Sequence, residues 1–191
     1  MKSKKNTFVS RAAVGCVTTA IFLLLCIIKG IYPFGIATLD TVDFQSQWIP
    51  AYYHVWDVLH GDGSAFFDWR VGGGNNFAGV SAQFSLFSPF NLFFLFVKRS
   101  WIEKSMIVFI IIKLLAMGYG MRWFLKEQIL KEERYGIYIL AGSVGYAVNG
   151  YTLLYYGMGW LDVAAILPLL CYFFCRMAER EGDLRLGKNT L

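Results

Sequence analysis

The chain has 191 residues, of which 57% are hydrophobic, 18% are aromatic and only 16% are charged. Because soluble domains carry about 25% charged residues, this composition excludes an ordinary soluble enzyme and is typical of a multi-pass membrane protein. The net charge of +5 comes from basic clusters that flank apolar runs. No single face gathers these clusters, so nucleic acid is not the expected partner.

Four apolar stretches have about the length needed to cross a membrane core of about 30 Å at 1.5 Å per residue. They are residues 12–31, 106–125, 135–156 and 161–178. The last stretch contains Pro168 and is marginal in length. The first stretch has a second interpretation as a signal peptide, because Gly35-Ile36-Ala37 is similar to a cleavage site. Its long apolar run favours an anchor that stays in the protein, and we predict an all-α bundle of membrane helices.

Residues 32–105 are predicted to form an outer loop that contains two short helices. Pro50 begins the first, over residues 50–60, and Gly61 ends it. Its apolar stripe is typical of a helix that lies flat at the membrane interface. Ser88 and Pro89 begin the second, over residues 89–97, which is too short to span and is predicted to be re-entrant or interfacial. The glycines at 72–74 indicate a tight turn.

The distribution of lysine and arginine predicts the orientation of the spans. Lys113 is left out of the count because it lies within a predicted span. With four spans, twelve of the other lysine and arginine residues share the side of the N-terminus and five lie on the other side. If residues 89–97 also spanned, the counts would be seven and ten. The four-span arrangement is therefore favoured, with the N-terminus in the cytoplasm of the cell and with Asp40, Asp43 and Gln47 outside.

Three carboxylates are predicted to meet at the outer face from two separate loops: Asp40, Asp43 and Asp162. Sugar transfer needs a carboxylate to take a proton from the acceptor hydroxyl, and further acids to bind a metal ion or position the donor. The structural alternative is that Asp43 and Asp162 cap helices, a role that aspartate favours. The spacing alone leaves both interpretations open.

Lys113 lies in the middle of the second predicted span. A charge there costs about 2.5–3.5 kcal/mol on insertion scales, so its side chain is expected to face the protein interior or a cavity. Two partners fit this position equally well. One is an anionic lipid phosphate, and the other is a carboxylate on another helix.

Four short motifs carry a resemblance to a known family. They are Asp43-Phe44-Gln45-Ser46-Gln47-Trp48-Ile49-Pro50, Gly72-Gly73-Gly74-Asn75, Ser88-Pro89-Phe90-Asn91 and Trp160-Leu161-Asp162. In the order and gaps of these motifs the chain resembles the bacterial YfhO membrane-protein family along almost its whole length. Members of that family are longer, so we expect this chain to correspond to the N-terminal module.

The resemblance implies a C-type glycosyltransferase architecture that uses undecaprenyl-phosphate sugars at the outer face of the cell membrane. The implied acceptor is an envelope polymer such as lipoteichoic acid. By position, the resemblance implies that Asp43 is the catalytic acid and Asp162 the second acid, with Asp40 as a further candidate. The candidate substrate-binding residues are Gln47, Lys113, Asn75 and Asn91. No cofactor is identified, and a divalent metal ion stays open.

Two other functions remain open on the sequence. A transporter or flippase for lipid-linked sugars would use polar residues at mid-depth, and Lys113 and Asn149 would be its working residues. A scaffold or inactive fragment would need none of the acids.

The predicted topology is tested by cysteines placed at Ser64 and Ser100, in a background without the four native cysteines. Both positions are expected to react with an impermeant thiol reagent from outside the cell, because both lie in the predicted outer loop. Labelling of position 100 only from inside would contradict the non-spanning assignment of residues 89–97.

Overall fold

The computed structural model describes residues 2–37, 39, 43–77, 87–130, 135–156 and 159–188, with side chains described between residues 11 and 180. Six α-helices lie within these ranges: α1 (Lys2–Ile28), α2 (Ile49–Leu59), α3 (Ile102–Phe124), α4 (Gly136–Ala147), α5 (Gly150–Leu154) and α6 (Leu161–Lys188). A π-helical segment, Phe44–Trp48, precedes α2, and another, Leu125–Ile129, follows α3. Two 3-10 helices, Pro89–Phe96 and Arg99–Trp101, lead into α3. The predicted all-α fold is confirmed.

Four helical stretches are long and apolar enough to cross a membrane: Arg11–Ile28, Arg99–Ile129, Gly136–Leu154 and Leu161–Arg180. Each overlaps a stretch predicted from the sequence. The second is the central one, because half of its hydrophobic window is buried, compared with 28% or less in the other three. Its helix α3 packs against α1, α4 and α6. The last stretch continues through Pro168 without a break.

The third stretch overlaps the predicted span at residues 135–156 but is divided between two helices. Helix α4 ends at Ala147, and α5 begins two residues after Val148. The side chain of Asn149 caps α5, since its Oδ1 accepts a hydrogen bond from the Thr152 N–H at 3.0 Å. Its Nδ2 donates to the Tyr146 carbonyl at 2.7 Å. Asparagine side chains compete in this way with the backbone bonds of a helix, and the helix breaks here.

Helix α2 ends as the sequence predicted. The Asp62 N–H donates to the Asp57 carbonyl at 2.8 Å and the Gly61 N–H to the Val58 carbonyl at 3.2 Å, with Gly61 at a φ of 83°. These two bonds define a Schellman motif, which glycine favours. Burial extends beyond the predicted apolar stripe, because His54 and Asp57 are also buried. The helix is therefore covered by protein on more than one face.

A two-stranded hairpin follows α2, with β1 (Phe67–Asp68) antiparallel to β2 (Asn75–Asn76). The sequence predicted its turn but not its strands. Residues 72–74 supply the turn, since all three glycines have positive φ. At Gly74 a side chain would also meet the ring of Trp69, because a methyl group built there lies 2.7 Å from the ring. The hairpin therefore needs glycine at this position for two reasons.

The segment that begins at Ser88 and Pro89 forms a 3-10 helix where the sequence predicted a short helix. Ser88 caps it, because its Oγ accepts a hydrogen bond from the Phe90 N–H at 3.2 Å. Phe94 is completely buried. Its ring centre lies 5.3 Å from that of Tyr52 on α2 and 5.0 Å from that of Phe109 on α3. This aromatic cluster holds the 3-10 helix and α2 against the bundle.

We expect Gly74→Ala to destabilise the protein more than Gly61→Ala. Both glycines have positive φ, which costs alanine about 1–2 kcal/mol. Only Gly74 adds a collision with Trp69, while among the described residues no atom lies within 4 Å of a methyl group built at Gly61. Unfolding free energies of the two variants in detergent measure the difference. An equal decrease in unfolding free energy for the two variants would show that the Trp69 contact does not constrain the hairpin.

Candidate functional site

Lys113 and Asp162 form a buried ion pair. The Lys113 Nζ lies 2.7 Å from the Asp162 Oδ1, and the two side chains are only 1% and 8% exposed. Lys113 comes from the middle of α3, and Asp162 from the first turn of α6. Of the two partners expected for Lys113, the structure contains the carboxylate on another helix.

Aromatic rings from three segments surround the lysine. Its Nζ lies 4.5 Å from the ring centre of Phe109, 5.8 Å from that of Phe90 and 6.0 Å from that of Tyr52. Ring faces attract cations, so these contacts add to the ion pair. Burial raises the pKa of the Tyr52 hydroxyl well above its usual range, and the charge of Asp162 raises it further. The loop between the first two spans, α3 and α6 therefore meet at one charged group.

This position bears on the predicted catalytic role of Asp162. The carboxylate lies in the interior of the bundle, and its Oδ2 has no hydrogen-bond partner within the part of the chain that the structure describes. A general base must reach the acceptor hydroxyl. In this conformation Asp162 meets Lys113 in the interior, so the geometry favours a role in holding the helices together. Its catalytic role stays a prediction.

A polar cleft of about 820 Å³ opens beside α2, between the π-helical turn, the hairpin and the beginning of α3. Its polar lining consists of amide, acidic, basic and imidazole side chains together with one phenol: Gln45, Gln47, Tyr53, His54, Asp57, Arg70, Asn75, Arg99 and Glu103. Ligand sites commonly have volumes of about 300–1,000 Å³ and converging polar groups. The cleft is therefore a candidate site for a polar ligand.

Asp57 holds one wall of this cleft together. The Arg99 Nε donates to the Asp57 Oδ1 at 2.8 Å, and the Arg70 Nη1 lies 3.6 Å from the Asp57 Oδ2. Arg70 also donates to both oxygens of Asp68, which lowers the pKa of the Asp68 carboxyl well below its usual range. The guanidinium of Arg99 lies 4.9 Å from the ring centre of Tyr53. The network joins α2, the hairpin and the 3-10 helix Arg99–Trp101 that leads into α3. Sequence reasoning missed it because its members are up to 42 positions apart.

A second cleft, of about 340 Å³, adjoins the first. Its lining is mainly apolar: Ile31, Tyr32, Gly35, Ile36, Leu39, Phe44, Ile49 and Ile107, with Glu103 and Lys104. Ile49 and Glu103 line both clefts. The Lys104 Nζ lies 5.8 Å from the ring centre of Tyr32 and 5.4 Å from that of Trp101. This second cleft, the apolar cleft, thus adjoins the polar cleft, and Lys104 lies in its lining.

The predicted site residues are distributed unevenly around these clefts. Asp43 is exposed, and its Oδ1 accepts a hydrogen bond of 3.4 Å from the Nε2 of Gln47. Gln47 and Asn75 both line the polar cleft, whereas Asn91 is a buried residue of the 3-10 helix Pro89–Phe96 and is not among the lining residues. Asp40 lies outside the described residues. Gln47 therefore binds Asp43 and shares the polar cleft with Asn75, although Asp43 is not among the residues that line either cleft. Lys113 and Asp162 form a buried pair of their own.

The capping alternative for Asp43 is not what the structure shows. Asp43 directly precedes the π-helical turn, but its side chain makes no capping hydrogen bond to the described residues of that turn. Its carboxylate is instead exposed to solvent beside Gln47. As for a metal ion, the described residues contain no group of three or more histidine, cysteine, aspartate or glutamate side chains placed to hold one.

The fold and the site define an all-α membrane protein with a polar cleft at one end of its central helix. The family model described as bacterial membrane protein YfhO matches residues 15–181, which is most of the chain. The chain belongs to the bacterial YfhO membrane-protein family. No match was found among curated proteins or among solved structures.

We expect Lys113→Met and Asp162→Asn each to destabilise the protein by about 3–5 kcal/mol, because each removes one partner of a buried ion pair. The double variant is expected to lose much less than the sum, because it leaves no unpaired charge in the interior. The double-mutant cycle is measured by the unfolding free energies of the wild type, the two single variants and the double variant in detergent.

The control is the exposed pair between Arg176 and Glu179, whose Nη1 and Oε2 atoms lie 3.2 Å apart. Arg176→Met and Glu179→Gln are expected to cost about 0–1 kcal/mol, as exposed pairs do. Losses at Lys113 and Asp162 no larger than in this control would contradict the structural role of the buried pair.

Proposed function

We propose that this protein is a membrane glycosyltransferase that moves a sugar from a polyprenyl-phosphate donor to an envelope polymer such as lipoteichoic acid at the outer face of the cell membrane. One observation carries the proposal. The apolar cleft and the polar cleft adjoin at Ile49 and Glu103, and Gln47, which lines the polar cleft, donates a hydrogen bond to the exposed carboxylate of Asp43.

The paired clefts fit the two halves of such a donor. A polyprenyl chain is apolar and needs an apolar recess at the membrane surface, which the smaller cleft supplies beside the outer end of α3. Sugar hydroxyls both donate and accept hydrogen bonds, as do amide side chains, and Gln45, Gln47 and Asn75 line the larger cleft. Lys104 lines the apolar cleft and is the cation best placed for the phosphate.

In the proposed reaction Asp43 is the general base. The acceptor hydroxyl oxygen attacks the anomeric carbon of the sugar, and its proton passes to the Asp43 carboxylate. The bond between the anomeric carbon and the phosphate oxygen breaks at the same time, and polyprenyl phosphate leaves. Gln47 orients the base, because its Nε2 donates to the Asp43 Oδ1. No step of this scheme requires Lys113 or Asp162 to bind substrate.

The structure gives less support to the transporter alternative. A flippase needs polar groups at mid-depth that are available to the passing headgroup. Lys113 is instead paired with Asp162. Asn149 uses its side chain to cap α5 and to bind the Tyr146 carbonyl. The scaffold alternative accounts for the helical bundle but not for the adjoining clefts.

We predict that Asp43→Asn lowers the rate of sugar transfer by about 10²–10⁴-fold, because asparagine keeps the shape of the side chain but cannot accept the proton. The assay follows transfer from a labelled polyprenyl-phosphate sugar by membranes that contain wild type or variant at matched abundance. Asp62→Asn is the control, since Asp62 is an exposed acid in the same outer segment.

The control variant is expected to stay within a few-fold of wild type. Activity of Asp43→Asn in that same range would remove Asp43 as the base and transfer the assignment to Asp40 or Asp162. A wild type without any transfer activity would contradict the proposed function itself.

A further inference from the structure

A basic cavity lies at the end of the bundle opposite the two outer clefts. It has a volume of about 380 Å³, and it is bounded by the first turns of the Arg11–Ile28 span and by the last turns of the Arg99–Ile129 span. Its lining consists of three basic residues, one acid and two aromatic residues: Arg11, Arg122, Lys126, Glu127, Tyr119 and Trp123. None of these residues takes part in the proposed reaction.

The charges in this cavity favour an anion. Among the described lining residues three are cations and one is a carboxylate, and Arg122 is only 6% exposed. Arg11 and Arg122 line the same recess, so their like charges repel each other, while the carboxylate of Glu127 attracts both. Bringing two guanidinium groups together in a partly buried recess costs free energy. An anionic ligand that contacts both would offset that cost.

The surroundings of the cavity indicate where this anion comes from. The cavity lies where two apolar spans end, so it borders the headgroup region of the membrane. Tyr119 and Trp123 are both more than 40% exposed at its edge, and exposed aromatic residues are typical of the membrane–water interface. Basic pockets between membrane helices bind phospholipid headgroups. A lipid can enter such a cavity from the side, with its acyl chains along the apolar surface of the spans.

We propose that this cavity binds the phosphate of an anionic phospholipid, with Arg11, Arg122 and Lys126 as its basic ligands. The lysine and arginine distribution places this end of the bundle in the cytoplasm. The lipid would therefore come from the inner leaflet, separate from the donor at the outer face. Such a lipid would join the ends of α1 and α3.

The test titrates detergent-purified full-length protein with phosphatidylglycerol or phosphatidylcholine and counts bound lipids by native mass spectrometry. Wild type is expected to bind one phosphatidylglycerol more tightly than any phosphatidylcholine. Arg11→Gln and Lys126→Gln are each expected to weaken phosphatidylglycerol binding about five-fold, because a cation near the surface contributes about 1 kcal/mol. Neither side chain is fully buried, so both variants are expected to fold.

Arg176→Gln is the matched control. It removes the same charge from α6 but lies outside the cavity. Weakening by Arg176→Gln to the same extent would show general charge attraction and overturn the site. In a competition experiment, inorganic phosphate or glycerol phosphate is added to the protein with bound phosphatidylglycerol. Displacement of phosphatidylglycerol by either at similar concentration would show a site for soluble anions and would also overturn the proposal.

Discussion

The position of the loop between the first two spans depends on the ion pair between Lys113 and Asp162. A lysine in the middle of an apolar helix is tolerated only if its charge is paired away from lipid. Asp162 provides the pair, so the first turn of α6 must lie against the middle of α3. The rings that complete the surroundings of the lysine include Tyr52 and Phe90, which belong to this loop. One buried charge thereby fixes the loop to the bundle.

Helix α2 transmits this constraint to the clefts. Tyr52 on one face packs towards Lys113, while Asp57 on another face binds Arg99 and Arg70. The hairpin and the start of α3 are held through the two arginines, and the polar cleft is the space between these elements. The apolar cleft lies on the same side, at the Ile49 end of α2. The arrangement of the two clefts is thus a consequence of how α2 is held.

Features encoded by neighbouring residues could be predicted from the sequence, and features that depend on distant pairs could not. Gly61 and Ser88 act through bonds to residues within a few positions, so the ends of their helices were predictable. The partner of Lys113 is on another helix, and periodicity gives no information on which carboxylate reaches it. The local sequence likewise gives no information that Asp57 binds Arg99, 42 positions further along the chain. The helix break at Asn149 could not be predicted, because its apolar neighbours outweigh a single capping side chain.

The central claim is that the two adjoining clefts hold the two halves of one amphipathic donor. Photo-crosslinking with two analogues of a polyprenyl-phosphate sugar, one with a diazirine in the lipid and one with a diazirine in the sugar, tests it most directly. The account predicts that the lipid probe labels peptides that contain Tyr32 or Ile107, and that the sugar probe labels peptides that contain Gln47 or Asn75. Labelling of the same peptides by both probes, or of helices remote from both clefts, would contradict it.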